Sequence, residues 1–91
     1  MKIYEMNKLE EYLRDHSYMY SRAEMWDGEQ IIVYGESVRD RRWDAICCSI
    51  SYGGKEGLLE VMGDIVQSES DRDVLGWLTA EDVIELIKKK K

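Results

Sequence analysis

The chain contains no proline and seven glycines, so the strong breaks in its secondary structure fall at glycines and at short polar runs. Gly28 lies in the dipeptide Asp27-Gly28, Gly35 opens a charged connector that runs to Arg42, and Gly53, Gly54 and Gly57 cluster together. Gly63 and Gly76 stand singly further on. With 91 residues the chain is near the small end for independent folding, and one domain over 1–91 is expected. Apolar residues make up 44% of it and three Trp with six Tyr supply aromatic volume, which is enough to build a core.

The pattern between the breaks is mixed. Asn7, with Glu10 three residues later, has the form of a capping box, and Leu9, Tyr12 and Leu13 follow at helical spacing. A short helix over about 8–16 is expected. Asp27-Gly28 between two strand-like runs predicts a type I′ hairpin. If Trp26 lies opposite Glu29, one face carries Met19, Ala23, Met25, Ile32 and Tyr34. The other face carries Tyr20, Arg22, Glu24, Trp26, Ile31 and Val33. The first face is cleaner and is expected to be the core side. A third strand over about 43–51 would turn Ile46, Cys48 and Ile50 inward and Trp43, Ala45, Cys47 and Ser49 outward, and Tyr52-Gly53-Gly54 would end it.

Residues 55–66 fit a sharply amphipathic helix. At 100° per residue Glu56, Glu60 and Asp64 fall within about 80°, with Leu58, Leu59, Val61, Met62, Ile65 and Val66 on the far side. Ser68 to Asp73 reads as an acidic loop, after which Leu75 and Trp77 dip back toward the core. Thr79 caps a last helix, with Asp82 three residues on and an apolar stripe of Val83, Ile84, Leu86 and Ile87. The expected fold is α+β, with a three-stranded antiparallel sheet, an N-terminal helix and two C-terminal helices in the order α-β-β-β-α-α.

The charge is lopsided. From Glu56 to Glu85 there are nine acids and one base, Arg72, a net of −8, while the whole chain carries −6. Such a surface repels nucleic acid and anionic lipid and attracts basic protein surfaces. The candidate partner-binding residues are therefore Glu56, Glu60, Asp64, Glu69, Asp71, Asp73, Glu81 and Glu85. Acids four apart on a helix rise about 6 Å per step, close to the spacing of phosphates along a DNA strand, so a helical stripe could imitate a nucleic-acid backbone.

Catalytic signatures are missing, and no enzyme activity, cofactor or metal is expected. His16 is the only histidine and reads as a solvated helix end. Cys47 and Cys48 are adjacent, which disfavours a disulfide between them. They read as small buried residues, in keeping with a reducing cytoplasm. With His16 they make only three soft metal donors, too few for a usual zinc site. The turn Tyr52-Gly53-Gly54-Lys55-Glu56-Gly57 lacks phosphate-loop spacing and opens onto acids. Arg39, Arg41 and Arg42 can pair with Asp40 and Asp44, and Lys88 to Lys91 suit the C-terminal end of a helix dipole, so direct nucleic-acid binding is not expected. Neither a secretion signal nor a membrane span is visible, and a cytoplasmic location follows as an expectation.

A second candidate surface is aromatic. Tyr20, Trp26 and Trp43 share the outer face of the expected sheet, beside Ile31 and Val33. Either the first helix packs there, or the patch serves a partner or a homodimer.

Two segments carry a resemblance. Ser51-Tyr52-Gly53-Gly54-Lys55-Glu56-Gly57-Leu58-Leu59-Glu60-Val61-Met62-Gly63 resembles a stretch in small uncharacterised accessory proteins of phages and integrative elements of Gram-positive bacteria. Gly76-Trp77-Leu78-Thr79-Ala80-Glu81-Asp82-Val83-Ile84 is similar to their closing helix. Together the segments cover about a quarter of the chain. The resemblance implies a mobile-element protein and carries no catalytic residues. Accessory proteins of that class include inhibitors of host defence, anti-CRISPR proteins among them. The expected function is thus a non-enzymatic inhibitor that docks an acidic surface on the Lys and Arg of a nucleic-acid-binding defence effector. The alternative is an interaction or assembly module that uses the aromatic sheet face.

Overall fold

The computed structural model describes residues 2–66 and 74–90. Five strands form one antiparallel sheet in chain order, flanked by a helix at each end of the sequence. They are α1 (Tyr4–Asp15), β1 (Met19–Met25), β2 (Gly28–Tyr34), β3 (Arg41–Cys47), β4 (Leu59–Gly63), β5 (Val74–Leu78) and α2 (Ala80–Lys90). A single 3₁₀ turn, Gly54–Glu56, joins β3 to β4. The class is α+β, but the expected three-stranded sheet with two C-terminal helices is overturned by a five-stranded meander with one.

The helix expected over 55–66 is the largest correction. Gly53 and Gly57 both hold left-handed backbone, at φ 88° and 81°, and close the turn before any helix can propagate. Beyond them Leu59 and Val61 are buried while Met62 is exposed, the two-residue period of a strand. β4 pairs with β3 through Ala45 opposite Val61, and with β5 through Leu59 opposite Leu78. Leu75 packs against the core as expected, whereas Trp77 is 60% exposed.

The hairpin closes one residue earlier than Asp27-Gly28 suggests. Met25 faces Gly28, so Trp26 and Asp27 form the two-residue loop and Trp26 takes φ 55°. Gly28 is a strand residue, needed because a Cβ there would lie 1.8 Å from the Cys47 carbonyl oxygen. This register differs by two residues from the expected pairing, which leaves each face with the same residues.

The side that is buried is the opposite of the expected one. Ile31, Val33, Trp43, Ala45, Cys47, Leu59 and Val61 face the helices. Met6, Leu9 and Leu13 of α1 and Val83, Ile84, Leu86 and Ile87 of α2 complete that core. The face with Met19, Ala23, Met25, Ile32 and Tyr34 is the outer one. Ile50, expected inside, is 70% exposed, while Cys48 is buried just past the end of β3.

Local capping follows the sequence at one end and departs from it at the other. Thr79 Oγ1 accepts from Asp82 N–H at 3.2 Å, and Asp82 accepts from Thr79 N–H at 3.0 Å, a complete capping box. Asn7 is not a cap: α1 begins at Tyr4, and Asn7 N–H donates to Ile3 C=O. Glu10 reaches β1 instead. Glu5 of α1 accepts from Ala80 N–H at 2.8 Å, which locks the two helix starts together.

Candidate protein-docking surface

Strand pairing sets the outer face of the sheet in rows. Ser21, Ile32, Asp44, Met62 and Val74 lie side by side across all five strands. Ala23, Gln30, Ile46 and Glu60 form the next row, and Met19, Tyr34 and Arg41 a third. With strands about 4.8 Å apart, the first row spans about 19 Å. Both helices bury their apolar stripes on the other side of the sheet, so no described helix covers these rows. Met19 and Met62 are 45% and 42% exposed, and Ile32, Tyr34 and Ile46 are half-buried.

The polar groups on this face are already engaged. Asp44 is buried and accepts from Gln30 Nε2 at 2.9 Å, with Arg41 Nη2 at 3.4 Å. The Ser21 and Tyr34 hydroxyls share a hydrogen bond at 3.0 Å, and Glu60 accepts from Tyr52 N–H at 2.9 Å. The exposed apolar groups of the face are Met19 and Met62, with Ile32 and Ile46 half-buried between them and Ser21, Ala23 and Arg41 exposed around them. Methionine adapts its shape to a partner more readily than branched residues do.

One end of this face is aromatic. Trp77 N–H donates to Tyr52 C=O at 3.1 Å, and the two side chains are 60% and 56% exposed. A Cβ at Gly76 would lie 2.2 Å from Tyr52 Cβ, and one at Gly53 would lie 2.9 Å from Trp77 Cα. Trp77 holds φ 60°, a conformation that costs a non-glycine residue about 1 kcal/mol. These two strands of chain, Ser51–Gly63 and Gly76–Ile84, are the two segments that carry the resemblance, and they meet here. With Ser49, Ser51, Lys55 and Glu56 they line a shallow pocket of about 310 Å³.

The expected acidic residues do not share a stripe. Glu56 is exposed on the 3₁₀ turn and Glu60 lies on the outer sheet face. Asp64 stands between Arg42 and Lys90, at 3.9 and 3.8 Å. Glu81 and Glu85 are exposed on α2, on the opposite side of the sheet, and Glu81 stands 3.9 Å from Lys8. Glu69, Asp71 and Asp73 fall outside the described residues. The phosphate-like spacing required a helix through Glu56, Glu60 and Asp64, and that helix is absent. The aromatic trio is likewise split: Trp43 is 4% exposed, Tyr20 packs against the core, and Trp26 is 72% exposed on its turn. The first helix does cover this face. What sequence reasoning missed is the apolar row through Ile32, Met62 and Val74; its signal was the unbroken run Ile31-Ile32-Val33-Tyr34, which puts apolar residues on both faces of β2.

The lone histidine and Cys47 make local contacts. His16 stacks on Tyr12 at 4.0 Å between centroids, and its Nδ1 lies 2.9 Å from Tyr12 C=O. The Cys47 thiol is buried against the carbonyls of Lys2 and Gly54 at 3.6 and 3.7 Å. Burial, with Cys48 and Glu29 beside it, pushes that thiol above its ordinary range. Among the described residues no cluster of His, Cys, Asp or Glu could hold a metal, and no helix is long and apolar enough to cross a membrane. No protein-family model matches the chain, and no curated protein or solved structure matches it either.

Proposed function

We propose that this chain is a non-enzymatic binding protein that docks the uncovered face of its sheet on another protein. The observation that carries the reading is the row of half-buried Ile32 and exposed Met62, with half-buried Ile46 and exposed Met19 beside it, which no described helix covers. An apolar, adaptable centre of this kind is typical of a contact surface. The net charge of −6 favours a basic partner by steering the encounter. The narrower form follows from the resemblance to mobile-element proteins: an inhibitor of a host defence nuclease or effector, occupying its basic nucleic-acid-binding surface. Two reduced thiols suit action in the cytoplasm of a bacterial host.

Isothermal titration against RNA-guided effectors and nucleases of the host tests both forms. Wild type should bind at least one of them, and Ile46→Lys with Met62→Lys should abolish binding while leaving the thermal melt unchanged. Glu81→Lys with Glu85→Lys, on the far side, should bind like wild type. No binding to any host effector overturns the inhibitor reading. Binding that survives the two sheet-face lysines overturns the docking face.

A further inference from the structure

The two edges of the sheet are built differently. At the β5 edge the strand has five residues, a glycine, an irregular register and a left-handed Trp77 whose N–H is taken by Tyr52. Those features blunt it against pairing. β1, at the other edge, is seven residues long with no glycine and an unbroken register along β2. Met25 and Gly28 close a two-residue hairpin and therefore exchange both backbone hydrogen bonds; alternation then turns the N–H and C=O groups of Tyr20, Arg22 and Glu24 away from β2. Among the described residues these groups have no backbone partner.

We propose that β1 pairs antiparallel with β1 of a second copy about a two-fold axis at Ala23, making one continuous sheet across the dimer. The register follows from charge. An axis at Arg22 would set two guanidinium groups opposite each other, a destabilising pair. An axis at Ala23 sets Arg22 opposite Glu24 of the other copy, twice, with two alanines at the centre and Ser21 opposite Met25.

The side chains are ready for that pairing. Arg22 Nε donates to Glu29 and Nη1 donates to Glu10 at 2.7 Å, which fixes the guanidinium and, among the described residues, leaves Nη2 without a hydrogen bond. Glu24 is exposed, makes no ion pair among the described residues and lies opposite Glu29 on β2. The Arg22 of a second copy supplies its missing partner. In the same register Tyr20 comes close to the hairpin loop of the other copy, whose Trp26 is 72% exposed in the single chain. α1 packs over β2 and reaches β1 through Glu10, which bonds Arg22 and Tyr20.

Sedimentation velocity over a range of protein concentrations tests the dimer. Wild type should shift from monomer to dimer as concentration rises. Glu24→Pro removes an N–H that points away from β2, so it should keep the fold by circular dichroism and remain monomeric. Glu24→Lys, which places like charge opposite Arg22, should raise the dissociation constant at least tenfold. It decides the matter if the proline variant does not fold. Ile46→Lys with Met62→Lys should dimerise like wild type, which separates this contact from the sheet-face docking surface. A wild type that stays monomeric at every concentration overturns the proposal, as does a dimer unchanged by Glu24→Pro or Glu24→Lys.

Discussion

Glu10 of α1 and Arg22 of β1 lie 2.7 Å apart, and this pair ties the first helix to the edge of the sheet. Tyr20 Oη donates to the same carboxylate at 2.9 Å. Burial alone would push the Glu10 carboxyl up, but the hydrogen bonds from Arg22 and Tyr20 outweigh it and hold the group below its ordinary value of 4.5. A carboxyl depressed in the folded chain adds stability that is whole above the unfolded value and disappears as pH falls through the folded one. Urea midpoints should therefore fall below about pH 4.5, and Glu10→Gln should flatten that slope. At neutral pH the variant should lose about 1–2 kcal/mol, because Arg22 and Tyr20 lose a charged acceptor.

The hairpin gives a paired prediction that runs against the sequence motif. Gly28→Ala should cost at least about 2 kcal/mol, since the new methyl would meet a backbone oxygen that β3 pairing holds in place. Trp26→Gly should stabilise the monomer by about 0.5–1 kcal/mol, because it relieves a left-handed backbone and removes a ring that is mostly in solvent. Chemical denaturation of both variants checks the two signs.

The helix-start lock can be separated into its parts. Thr79→Ala should cost about 1 kcal/mol, the usual value of a lost N-cap. For a domain of this size that is a drop of about 4–8 °C in Tm. Glu5→Gln keeps an acceptor for Ala80 N–H and should cost less. Differential scanning calorimetry resolves the difference.

Elements with local signals were legible in the sequence. The Thr79–Asp82 box and the stripe Val83, Ile84, Leu86 and Ile87 mark α2 without reference to anything distant. The segment Leu58–Val66 was ambiguous because Met62, exposed on a sheet face, fills a position where a helix would place a core residue. Its apolar residues then match a 3.6-residue period as well as a two-residue one. β5 was missed because it depends on pairing with β4, and Gly76 inside it argues against a strand when read locally. The buried face was misjudged because Arg22 and Glu24 make the true core side look wet. At the edge strand that side is wet: Glu10 reaches across from α1 to meet Arg22. The docking face was hidden for the same reason, since it had been assigned to the core.

The Cys47 thiol should be nearly inert in the folded protein. It is buried, its single S–H faces the carbonyls of Lys2 and Gly54, and its pKa is raised. Reaction with a colourless aromatic disulfide reagent should show both thiols reacting only as fast as the chain opens, and at full rate in denaturant. Fast labelling of either thiol in buffer would contradict the packing of β3 against the amino-terminal segment.

Asp44 tests how the outer face stays organised without a covering layer. It is 8% exposed, yet its row neighbours are Ile32 and Met62, so a carboxylate sits in the middle of an apolar strip. Gln30 and Arg41 reach it from either side and hold it in place. Asp44→Ala removes the acceptor and leaves the Gln30 amide partly desolvated, which should cost about 1–3 kcal/mol. Asp44→Asn keeps an oxygen for Gln30 and should cost less than half of that loss. Asp44→Leu exchanges the polar group for one matched to its neighbours; it should recover stability relative to alanine while enlarging the apolar strip, and so raise aggregation on heating. Denaturation midpoints with light scattering on the three variants distinguish an acid kept for its hydrogen bonds from one kept to hold the face apart.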